Sequence, residues 1–199
     1  MIAVNPTYIP LIQKPHCCAI ACLQMVLYRN GLGLFDQEQL AIRFGVKIAT
    51  EDAHAFSAAM QVMTRAGLDE GISTVESADD FNTFFNEISV PLEAKGYKYS
   101  TIPNVGAFLM EHLAANNDVW IEYHAHDIHA NDNYKSKHEG DYVHDGLIEG
   151  FAPSMNTITV IDPYHDHRQR ITVSLTEIEK AVSSLFGKET GFVIIRNRK

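Results

Sequence analysis

Gln13-Lys14-Pro15-His16-Cys17-Cys18-Ala19-Ile20-Ala21-Cys22-Leu23-Gln24-Met25-Val26-Leu27-Tyr28 decides how this chain is read. From Cys18 to Tyr28 the stretch is apolar on nearly every face, with Gln24 the main exception. A helix of that kind belongs in the middle of a domain rather than on its surface. Arg29-Asn30-Gly31 then supplies a good C-terminal stop. A thiol at the start of such a helix feels the positive end of the macrodipole, about half an elementary charge, which favours thiolate. A polar amide a few residues upstream, Gln13, could sit beside that thiolate and donate a hydrogen bond to an oxyanion.

Outward from this stretch the pattern stays helical. Asp36 caps a short helix with Leu40, Ile42 and Phe44 apolar, stopped by Gly45. A third helix is expected over Ala53 to Ala66 with Phe56, Met60 and Met63 at helical spacing, and a fourth after Asp79-Asp80 with Phe81, Phe84, Phe85 and Ile88. These stripes are assigned to packing. Beyond Tyr97 strands dominate: Lys98 to Ile102, Asp118 to His124, Tyr142 to Phe151, Thr157 to Ile161, Gln169 to Val173 and Gly191 to Arg196. Helices over Asn104 to Asn116 and Leu175 to Leu185 interrupt them, and His124 to Asp141 is the one long loop. Helices first and strands later indicate an α+β domain, a helical lobe packed on an antiparallel sheet, spanning residues 1–199 as one unit.

Composition narrows the functional classes. The 199 residues are 46% hydrophobic and 21% charged, which describes an ordinary globular chain. A formal net charge of −9 argues against a nucleic-acid partner, which would want a basic face. All three cysteines fall between positions 17 and 22, too close for a stabilising long-range bridge, so reduced thiols are expected. No charged start followed by an apolar run opens the chain, so no signal peptide is expected. No apolar run approaches the roughly 20 residues that span a bilayer, so the expectation is a cytoplasmic chain without a membrane segment. Oligomeric state is not legible.

A nucleophilic cysteine needs a base and a group that orients it. Tyr142 to Phe151 and Thr157 to Ile161, joined by the turn at Ala152 to Asn156, read as a hairpin. His144 at the start of the first strand and Asp162 just past the end of the second then lie at the same end. An Asp accepting from one ring nitrogen fixes the tautomer that leaves the other nitrogen as base. Contact of this pair with Cys18 does not follow from spacing.

The segment Gln13 to Tyr28, with Gln five positions before a Cys and the run Ala21-Cys22-Leu23-Gln24-Met25-Val26-Leu27, resembles the papain-like cysteine peptidases of the bacteriocin-processing, double-glycine-leader type, here as a free-standing domain. His144, Gly150-Phe151 and Asp162-Pro163 extend the resemblance. The likeness covers roughly residues 8 to 30 and 140 to 165. It implies a papain-like fold and a cysteine peptidase acting on a peptide or protein substrate, with a double-glycine leader peptide as the family's typical one. It also implies Cys18 as nucleophile, His144 as base, Asp162 as its partner, and Gln13 with the Cys18 N–H as oxyanion hole. Register with Gln13 selects Cys18 over Cys17, and Cys22 is expected to be buried and inert. Ala19 stands where the family usually has Gly directly after the nucleophile.

Two other readings share the scaffold: acyl or peptidyl transfer, in which an amine replaces water, and a peptide-binding module without activity. Metal binding is the rival for the histidines. His124-Ala125-His126 and His165-Asp166-His167 are His-x-His pairs, with His129 and His138 nearby. No framed acidic ligands accompany them, so they are read as exposed loop histidines, and no metal or other cofactor is expected. Gly31-Leu32-Gly33 lacks the context of a phosphate cradle and reads as a turn.

Overall fold

In the computed structural model, which describes residues 1–46, 50–57, 78–128, 143–164, 169–184 and 191–198, the central apolar helix runs over Cys18–Arg29 (α1). Ile20, Cys22, Leu23, Val26 and Leu27 have no accessible surface, the burial that its all-round apolarity requires. Asp36 caps the next helix, Gln37–Arg43 (α2), accepting the Gln39 N–H at 3.0 Å. A 3-10 turn occupies Thr50–Ala55. Most of the helix expected over Ala53 to Ala66 lies outside the described residues. Ala78–Glu87 (α3) buries Phe81, Phe84 and Phe85. Phe44 meets Phe84 edge-on at 5.3 Å between ring centres, and Phe81 meets Trp120 at 4.8 Å. The aromatic stripe is therefore core, and it fastens the helices to the sheet.

Among the described residues seven strands form that sheet: Ile2–Ala3 (β1), Leu92–Tyr97 (β2), Asp118–His124 (β3), Val143–Ala152 (β4), Thr157–Ile161 (β5), Arg170–Ser174 (β6) and Phe192–Asn197 (β7). The order is β2-β7-β3-β4-β5-β6, with β1 beside the far end of β4, and every pairing is antiparallel. Val105–Ala114 (α4) is capped by Asn104, Ala125–Ile128 (α5) is a single turn, and Leu175–Ser183 (α6) opens with a Ser174–Glu177 capping box. The architecture is α+β, helices on an antiparallel sheet. One expected strand was misplaced. Lys98 to Ile102 holds a 3-10 turn at Tyr99–Thr101, and the strand lies just before it. Its Glu93, Lys95 and Gly96 carry little β propensity; pairing along its full length with β7 makes it a strand.

The first thirteen residues form a strap along β4. Ile2 and Ala3 pair with Phe151 and Gly150, and the Val4 N–H donates to the Glu149 carbonyl at 3.0 Å. A bulge between Ile148 and Gly150 shifts the β4–β5 register around Glu149. The Glu149 carboxylate then accepts the Tyr8 N–H at 3.2 Å and both arms of Arg170 at 2.7 and 2.8 Å. The strap ends where the Gln13 N–H donates to the Pro163 carbonyl at 2.8 Å. At the C-terminal end of α1, buried Asp118 accepts Arg29 at 2.8 Å, the Tyr8 hydroxyl at 2.6 Å and the Asn30 amide at 2.9 Å. No helix among the described residues is long and apolar enough to cross a membrane.

Candidate active site

The loop before α1 is pinned on several sides. The Lys14 N–H donates to Gln37 at 2.6 Å, and its ammonium reaches Glu38 at 2.7 Å and the Ala55 carbonyl at 2.8 Å. His16 takes a left-handed backbone conformation at φ 60°, a region histidine tolerates better than most side chains. Its Nε2 lies 2.9 Å from Asp52 Oδ2. This turn delivers the chain into α1, whose N-cap Cys17 offers no side-chain hydrogen bond. No acidic residue stands in the first turn either, so nothing within the helix itself offsets the positive character of its start.

The hairpin brings His144 to Asp162 as its register demands. Leu147 pairs with Ile161, so His144, three residues earlier, and Asp162, one residue later, share an end. His144 Nε2 lies 2.9 Å from Asp162 Oδ1, and both side chains are almost wholly buried. Asp162 is further held by the Tyr164 N–H at 2.8 Å and the Tyr123 hydroxyl at 3.0 Å. Tyr123 faces His144 across the β3–β4 pair, its ring edge-on to the imidazole at 5.5 Å. Gly146 makes room for it: a Cβ there would come within 3.1 Å of the Tyr123 ring and of the Ile161 carbonyl.

The Cys18 thiol and the His144 imidazole lie close enough to influence one another's charge. Because Nε2 serves Asp162, Nδ1 is the ring nitrogen left for the sulfur. Burial works against an imidazolium at His144. The charge and hydrogen bond of Asp162, joined by Cys18, outweigh it and hold the ring's pKa well above its ordinary value. Burial pushes the Cys18 thiol up, the Asp145 charge adds to this, and the hydrogen bond and charge of His144 pull the other way. Cys17 is fully buried and its thiol is pushed up to about 12, chiefly by that burial. Cys22 is also buried, with its thiol raised well above the ordinary value by the same cause. Of the three thiols, only Cys18 is less than fully buried.

Gln13 reaches the same region through its backbone bond to the residue after Asp162, and its buried Oε1 has no hydrogen-bond partner among the described residues. A half-turn about the last side-chain bond would present its N–H₂ there instead. Ala19 is 1% exposed: its methyl belongs to the core. Two side chains that spacing did not single out also converge here. Asp145 Oδ2 accepts from Cys18 Sγ at 3.3 Å, and Asp145 Oδ1 accepts the Trp120 indole N–H at 2.8 Å. The adjacency of Asp145 to His144 was the only available signal. His129, His138, His165 and His167 lie outside the described residues, and no group of three or more potential metal ligands occurs among the described ones.

No protein-family profile and no curated protein sequence matches the chain. Solved structures do. A structure from Bacillus anthracis described as a C39-like peptidase superposes with a TM-score of 0.61 at 14% identity, covering 99% of this chain and 98% of that one. A double-glycine-motif protease from an AMS/PCAT transporter, in complex with its leader peptide, gives a TM-score of 0.48 at 14% identity, covering 98% and 96%. The chain therefore has the fold of the C39-like peptidase structure from end to end.

Proposed function

We propose that this protein is a cysteine peptidase with Cys18 as nucleophile, His144 as base and Asp162 as the group that orients it. The observation that carries the reading is the buried His144–Asp162 pair, 2.9 Å apart, beside the Cys18 thiol at the uncapped start of a buried helix. A shared fold with the C39-like peptidase structure supports it. The substrate is a peptide or protein. As Cys18 Sγ attacks the carbonyl carbon, the thiol proton passes to His144 Nδ1 and an S–C bond forms. The oxyanion takes hydrogen bonds from the Cys18 N–H and the Gln13 carboxamide. His144 returns the proton to the leaving nitrogen as the C–N bond breaks, and water, deprotonated by His144, releases the acid and the free thiol.

A peptide-library cleavage assay with intact-mass readout tests this. Cys18→Ala is expected to abolish cleavage and rapid iodoacetamide labelling, whereas Cys17→Ala keeps both. Gln13→Ala is expected to lower kcat about 100- to 1,000-fold with little change in KM. Cleavage surviving Cys18→Ala would end the assignment. An amide rather than an acid product when an amine is supplied would make the protein a transferase on the same residues.

A further inference from the structure

His144 and Asp145 are consecutive on β4, yet both reach the same sulfur. Side chains at neighbouring strand positions ordinarily point to opposite faces, so Cys18 sits where the first residues of β4 present both sides to it. The thiol has one proton to give. In the structure Cys18 Sγ donates to Asp145 Oδ2 at 3.3 Å. Asp145 is not free to turn aside, because the Trp120 indole holds its other oxygen at 2.8 Å. Trp120 in turn is buried against Phe81, with ring centres 4.8 Å apart. The carboxylate beside the nucleophile is therefore aimed by the aromatic core.

We infer that Asp145 is a positioning residue for Cys18: it accepts the thiol hydrogen bond and opposes transfer of that proton to His144, so that the nucleophile rests uncharged. This rests on the peptidase reading only in naming Cys18 the nucleophile. The electrostatics agree with the geometry. After burial, the Asp145 charge is the largest influence raising the Cys18 thiol; the hydrogen bond and charge of His144, and the Asp145 backbone, pull the other way. Other titratable groups surround the pair. Glu122 on β3 stands directly opposite Asp145, Tyr123 opposite His144, Asp162 beyond the imidazole, and Cys22 one turn along α1. With the imidazole carrying a proton for Asp162, attack requires the S–H bond to break against this carboxylate. The proton moves to the unprotonated Nδ1 of His144, whose Nε2 faces Asp162, and the electron pair of the S–H bond stays on sulfur. Asp145 thus displaces the acid limb of nucleophile reactivity upward, against the pull of the His144–Asp162 pair.

The experiment is the rate of iodoacetamide alkylation at Cys18 from pH 5 to 9, located by peptide mapping, for the unmodified chain, Asp145→Asn and Trp120→Phe. Asn keeps the acceptor for Trp120 and offers the sulfur an N–H in place of a negative charge. Asp145→Asn is expected to move the acid limb to lower pH and to raise the rate on that limb roughly tenfold. Trp120→Phe, which frees the carboxylate without touching it, is expected to move the limb the same way by a few-fold. Thermal melts identify any variant that has lost its fold, and the other then decides. Superimposable alkylation profiles for folded Asp145→Asn and the unmodified chain would overturn the inference, as would a limb displaced to higher pH. A displaced limb in a protein that cleaves no peptide would retire the peptidase reading and leave the Asp145 assignment standing.

Discussion

At either end of α1 lies a buried aspartate with a tyrosine hydroxyl among its donors, and the two differ in their cationic partner. Asp118, at the C-terminal end, takes Arg29, Tyr8 and Asn30. Asp162, beyond the N-terminal end, takes His144, Tyr123 and the Tyr164 N–H. Arginine keeps its charge at any ordinary pH, so the Asp118 cluster is a strut. Imidazole can release its proton, so the same construction around Asp162 becomes a device that changes charge. One helix joins them, with the thiol at the end where the partner titrates.

Exchanging outcomes between the two aspartates would break the comparison. Asp162→Ala is expected to reduce peptide cleavage about 10,000-fold, because His144 loses both its orientation and its counter-charge. Asp118→Ala is expected to leave the cleavage rate of folded protein unchanged. In denaturant unfolding it should cost about 3–5 kcal/mol, since it strands Arg29 as a buried uncompensated charge.

The hydroxyls sharpen the same contrast at smaller amplitude. Tyr8→Phe and Tyr123→Phe each remove one hydrogen bond to a carboxylate, about 1.5–3 kcal/mol apiece. Only Tyr123→Phe should also alter turnover, by about tenfold in kcat with KM held, since its partner Asp162 is the residue proposed to orient the base. Equal kinetic effects of the two would show that Tyr123 is merely structural.

The smallest effect is in pH dependence. Folding raises the His144 pKa, so its contribution to stability is fully present below the ordinary value near 6.5 and is lost as pH rises through the folded value. Melting temperature should therefore fall as pH is raised above about 6.5, and His144→Gln should flatten that fall. An unchanged slope in the variant would assign it elsewhere.

Much of this was legible in the sequence because it follows from local geometry. The hairpin of β4 and β5 places His144 beside Asp162 by register alone, and the all-round apolarity of Cys18 to Tyr28 marks a buried helix whatever surrounds it. The capping residues Asp36 and Asn104 act within one turn and were readable for the same reason. What the sequence hid depends on contacts between distant segments. Strand β2 exists through its pairing with β7, not through its own residues, and so was placed a few positions late. Asp145 is hidden in the sequence because strand alternation predicts that it faces away from whatever His144 faces. Only the location of α1 against the start of β4 makes it a neighbour of Cys18. Tyr123 and Trp120 likewise read as ordinary strand aromatics until the sheet order puts them beside Asp162 and Asp145.

The strap has a practical corollary. Cys18 and His144 sit on regular elements and Asp162 directly follows one, but the residues leading to Cys18 come from a segment with almost no secondary structure. The amide hydrogens of Val4 and Gln13 are thus sentinels: their exchange with deuterated solvent should quicken before any loss of helical signal, reporting a slackened centre in a molecule that still looks folded.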